Sequence, residues 1–136
     1  MIPSLALALV AASGAAVDDA PARVVVVIGY DGGDEAGPDG ALRPRLSYAD
    51  DDAARAYLTA LPEADRAFLL TTFDSDSARL FPELTTLARA PTRDELARVL
   101  GEAFWRLRTL KDSGRSTELV FSFAGHGDVS ASGEGF

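Results

Sequence analysis

The chain has 136 residues, 47% of them hydrophobic and 25% charged, and a net charge of −8. That is one domain at most, apolar enough to bury a core and too acidic for an electrostatic nucleic-acid binder. It has no cysteine, which excludes disulfides, a thiolate zinc site and a thiol nucleophile within these residues.

Residues 1–22 read as a leader. Met1 to Ala16 carries no charged side chain, and Leu5 to Ala12 is a short apolar run followed by small residues. Such a run is too short to span a bilayer and has the form of a secretory signal. Cleavage after Ala16 or Ala22 suits it. The segment lacks the usual Lys or Arg, so an Ala-rich leader or a misplaced start codon is the competing account. A signal predicts a periplasmic or extracellular location, and its absence a cytoplasmic one. No later stretch is long enough to cross a membrane, so no span is expected after leader removal.

Residues 23–136 form the domain. Arg23-Val-Val-Val-Val-Ile-Gly-Tyr30 has five β-branched residues in a row with no alternation. This predicts a strand buried on both faces, as in a central parallel strand. Asp31 to Gly40 is rich in Gly and Asp. Its spacing fits neither an EF-hand loop nor a phosphate-binding loop, which leaves a solvated, flexible loop.

Ser47 to Leu61 predicts a helix. Ser47 is the candidate cap, Asp50 to Asp52 fall in the first turn, and Pro62 stops it. Ala54, Tyr57, Leu58 and Leu61 form its apolar stripe. Ala67 to Phe73 predicts a second apolar strand, closed by Asp74-Ser-Asp-Ser77. Ala78 to Ala90, with Pro82 inside it, predicts only a turn or two.

Thr92-Arg-Asp-Glu95 is a capping box and opens a long helix. Leu96, Val99, Leu100, Ala103, Phe104, Leu107 and Leu110 mark its core face, and Trp105 is expected in the core as well. Gly114 suits the position just past its end. Leu119 to Phe123 predicts a last buried strand. Ala124, Gly125, His126 and Gly127 follow it.

The alternation of strands and helices predicts an α/β fold: three layers, α/β/α, around a mostly parallel sheet. In such sheets functional groups gather at the carboxyl ends of the strands. Asp31, Asp74 and His126 each follow a strand, so all three are expected at one rim. His126 is the only histidine. An imidazole can both take and give a proton, and the flanking glycines let a substrate backbone approach. A loop histidine bonded to a neighbouring carbonyl is the plainer reading of the same residues.

Three stretches together resemble the caspase-like cysteine peptidases, in their bacterial and metacaspase branch. They are Val24-Val-Val-Val-Ile-Gly29, Leu46-Ser-Tyr-Ala-Asp-Asp-Asp-Ala53 and Phe121-Ser-Phe-Ala-Gly-His-Gly127. The resemblance covers Arg23 to Asp128, with Ala124 standing where the family often has Ser. It implies a peptidase acting on peptide or protein substrates. A cysteine attacks, His126 protonates the leaving amine, and the Gly127 N–H helps to hold the oxyanion. It also implies that Asp52 lines a pocket selecting Arg or Lys. Calcium enters by this resemblance alone; no other cofactor is implied.

In the family the cysteine lies roughly 50 residues beyond the histidine, whereas this sequence ends ten residues after His126. The expectation is therefore an incomplete caspase-like domain, inactive by itself. Its exposed sheet edge would favour self-association. A catalytically inactive binding module of the same fold, or an unrelated flavodoxin-like or receiver-like ligand-binding domain, are the alternatives.

Overall fold

A computed structural model describes residues 20–32, 36–37, 39–42 and 44–126. Residues 1–19 of the leader and Gly127 lie outside the described residues, whereas Ala22, given to the leader, is buried as the first residue of the first strand. Three strands form one sheet: β1 (Ala22–Tyr30), β2 (Arg66–Leu70) and β3 (Thr117–Gly125). Their order is β2-β1-β3, and both pairings are parallel. The chain is an α/β fold, as its alternating pattern predicts.

β1 is central because it alone can be buried on both faces. Val24 to Ile28 are all buried, and each such side chain contributes about 1.5–3 kcal/mol by leaving water. Val25, Val27 and Leu69 pack under α1 (Ala49–Ala60), against Ala53, Ala54 and Tyr57. Val24, Val26, Ile28, Phe68 and Leu70 pack under α3 (Arg93–Asp112), against Val99, Ala103 and Leu110. Helices on opposite faces follow from topology. The first crossover moves from β1 out to β2, and the second returns past β1 to β3. Connections of one hand that reverse direction must use opposite faces.

The ends of α3 follow its sequence signals. The Thr92 hydroxyl accepts from the Glu95 N–H at 3.2 Å, and Gly114 adopts φ +88° just past the helix. Between β2 and α3, the short helix α2 (Ser75–Leu80) and a 3-10 turn at Pro82–Leu84 fill the ambiguous stretch.

Three local expectations are corrected. Ser47 does not cap α1: its N-cap residue is Tyr48, with no side-chain bond to the helix. The start of α1 is held instead by Asp50, whose carboxylate accepts from the N–H groups of Asp51 and Asp74, each at 3.0 Å. Phe104 and Trp105 are exposed, Trp105 to 69%, because the core stripe of α3 runs through Val99, Ala103 and Leu110 and leaves both outside it. β3 is an edge strand rather than a fully buried one. Among the described residues it pairs only with β1, and Leu119, Phe121 and Phe123 are exposed. The loop that follows β1 folds back on itself where it is described. Ala36 and Leu42 form an antiparallel bridge, and the Gly37 N–H donates to the Ala41 carbonyl.

Candidate functional site

Parallel strands bring their carboxyl ends to one rim, and β1 and β3 end side by side, with Tyr30 opposite Gly125. The next residues along, Asp31, Gly32 and His126, therefore meet. The crevice outside the carboxyl ends of the strands is the usual ligand site of an open α/β sheet.

His126 is held from two sides. Its Nε2–H donates to the carbonyl oxygen of Pro44 at 2.8 Å. A carbonyl can only accept, so the neutral ring carries its proton on Nε2 and leaves Nδ1 with a lone pair. Pro44 is positioned by the returning loop, where the Leu46 N–H donates to the Asp31 carbonyl at 2.8 Å. Arg45 in the same loop pairs with Asp31 at 2.8 Å. On its other side the imidazole lies against Gly32. A methyl group on Gly32 would sit 2.7 Å from His126 Cδ2, and Gly32 has φ +69°. Both the contact and the dihedral require glycine.

A cavity of about 700 Å3 opens beside this junction. Tyr30, Asp31, Gly32 and Arg45 line it from the rim, and Leu96, Phe121 and Phe123 from the α3 face. Its size and mixed lining suit a small molecule or a few residues of a peptide. Gly32 lines the cavity and touches the histidine ring, which is not part of the lining.

The aspartates of the rim divide into distinct roles. Asp74 caps α2, accepting from the Asp76 and Ser77 N–H groups at 2.9 and 2.8 Å. The Ser77 bond is the main cause that holds its carboxyl below the ordinary carboxylate range, and the Arg45 charge adds to it. Asp50 is buried and joins the start of α1 to the exit of β2. Asp52, the residue expected in a substrate pocket, has a side chain 63% exposed and pairs with Arg55 at 3.9 Å. No hydrogen bond or ion pair joins Asp52 to His126.

The buried polar atoms that lack a partner lie elsewhere. Asp51 Oδ1 and Thr71 Oγ1 are buried without a hydrogen bond. Thr71 sits against Gly29, where an added methyl would also meet the Ala49 carbonyl at 2.5 Å. Sequence reasoning missed Asp50 and Asp51 because a run of three aspartates at a helix start looks uniform. Only the packing angle of the helix separates the two buried ones from the exposed one. The Pro44 carbonyl was equally hidden, because a backbone acceptor carries no residue-type signal.

Among the described residues no cluster of three or more His, Cys, Asp or Glu is arranged to hold a metal ion. No described helix is long and apolar enough to cross a membrane. No family model, curated protein or solved structure matches the chain.

Proposed function

We propose that this chain carries the histidine half of a caspase-like cysteine endopeptidase site. The observation that carries the reading is the Nε2–H···O=C bond from His126 to Pro44 at 2.8 Å. It orients a neutral imidazole at the sheet rim with Nδ1 available to take a proton from a thiol and return it to a leaving amine. The cavity beside the junction and the sequence resemblance support the same reading.

The nucleophile the reading requires is a cysteine outside these 136 residues. The peptide would lie in the rim cavity, with the Gly127 N–H as an oxyanion donor. A preference for Arg or Lys would draw on the acidic start of α1. Asp52, whose side chain is exposed, is the residue the resemblance implies for this preference. A complete enzyme would be exported if the leader acts as a signal.

The order β2-β1-β3 also begins flavodoxin-like sheets, which favours a ligand-binding domain as the second reading. The two separate on one experiment. The chain is expressed together with any coding sequence that follows it and assayed on peptides with Arg or Lys before the scissile bond. Cleavage that falls by about 10²–10⁴ in His126→Ala supports the peptidase. Cleavage that survives the substitution, or a following segment with Ser or Gly in the cysteine position, removes it in favour of a binding module.

A further inference from the structure

We infer that a second cavity, between β2 and the middle of α3, binds a small planar aromatic carboxylate. Its volume is about 660 Å3, within the range of small-molecule sites, and it shares no lining residue with the cavity at the rim. It lies toward the amino end of β2, where Asp65 and Arg66 enter the strand. β3 delivers the chain to the opposite rim, two strand positions away, about 10 Å across the sheet.

Four charged side chains line this cavity, and they are unequally committed. Asp65 pairs with Arg115 at 2.8 Å, and Glu102 with Arg89 at 2.7 Å. Arg66 lies over the Phe68 ring, 5.1 Å from its centre. Neither Arg66 nor Arg106 makes a hydrogen bond or ion pair among the described residues. The charge left over in the cavity is therefore positive, in a chain whose net charge is −8. A guanidinium presents a fork of donors that matches a carboxylate. The two paired acids set the ligand's charge. They repel a phosphate dianion more strongly than a single carboxylate, so a monoanion is favoured.

The ring is indicated by two residues on one helical face. Trp105 exposes its indole beside the cavity, and Gly101 stands four residues before it. A glycine inside a helix is destabilising relative to alanine. No contact within the protein asks for one here: a methyl group on Gly101 would meet no atom within 4 Å. What the missing side chain does provide is room beside the indole, where a flat ring can stack offset on it.

Trp105 is the only tryptophan, so its indole N–H gives a single cross-peak in a proton–nitrogen spectrum. Titrating the whole chain with naphthalene-2-carboxylate is expected to move that peak to saturation, with a Kd of about 1 mM or below. Naphthalene-2-carboxamide has the same shape without the charge and should bind about tenfold more weakly. Acetate has the charge without the ring and should not saturate. Arg66→Gln and Arg106→Gln should each weaken binding about threefold or more. Arg108→Gln, on the same helix but outside the cavity, should leave it unchanged. Gly101→Leu places a good helix former there and fills the space. Its melting temperature should hold or rise while binding is lost. The proposal is overturned if the indole peak does not move, or if the amide binds as tightly as the acid. It is equally overturned if both arginine variants bind as the native chain does, if binding survives Gly101→Leu, or if the naphthoate moves the His126 ring signals instead of the indole.

Discussion

His126 rests directly on Gly32: a methyl group there would sit 2.7 Å from the imidazole Cδ2. The second residue past β1 thus shapes the seat of the residue that follows β3. Gly32→Ala adds a steric clash to a left-handed backbone, which itself costs about 1–2 kcal/mol. The expected result is a loss of about 2 kcal/mol in stability and a displaced ring. Thermal unfolding reads the first. Nitrogen NMR of the single histidine reads the second, as loss of the Nε2–H tautomer that the Pro44 bond selects.

Gly29→Ala should be the more damaging change, although the site is left untouched chemically. Its new methyl would lie 2.5 Å from the Ala49 carbonyl and 2.7 Å from Ala53 Cβ. The first of these is backbone and cannot rotate away, so α1 must move off the sheet. Overpacking of this kind costs about 1–3 kcal/mol. Denaturant melts that show an unchanged midpoint would mean α1 is not seated as described.

Asp50 and Asp51 are neighbours with opposite expectations. Asp50→Ala removes an acceptor from the Asp74 N–H and should cost about 2 kcal/mol. Asp51→Asn removes a buried carboxylate charge, one of whose oxygens has no partner. It should be neutral or stabilising, because an uncompensated charge is costly to bury. If Asp51→Asn destabilises as much as Asp50→Ala in urea titrations, the carboxylate has a partner that stabilises it.

Asp74 supplies a pH dependence whose sign is fixed by its hydrogen bonds. The Ser77 N–H stabilises the ionised form, so the folded-state value lies below the unfolded one. Its stabilisation is therefore complete above the unfolded carboxylate value of about 3.9 and is lost as pH falls through the lower folded value. Comparing the melting temperatures of the protein and Asp74→Ala should show a gap that is constant from pH 5 to 7 and closes toward pH 2. A gap that widens on acidification contradicts the cap.

The long elements were legible because each repeats one signal many times. Five consecutive β-branched residues specify β1, and the Thr92 box with its 3.6-residue stripe specifies α3. Parallel order followed from the alternation, and with it the shared rim of Asp31, Asp74 and His126. What the periodicity of a helix cannot state is the width of the surface it will meet. A three-stranded sheet covers only the stripe through Val99, Ala103 and Leu110, so Phe104 and Trp105 were assigned inside and lie outside. The same limit applies to Leu119, Phe121 and Phe123. Their apolarity marks a strand, but burial depends on a neighbour that the local sequence does not name.

From its residues alone this chain determined its class, its strand direction and the rim where its one histidine emerges, because those depend on local periodicity and the hand of the crossovers. Tertiary structure decided the rest. It selected which of three adjacent aspartates is exposed and brought the Pro44 carbonyl to His126 across 82 positions. Each of these depends on distances between segments far apart in the chain, where backbone groups act without regard to residue type.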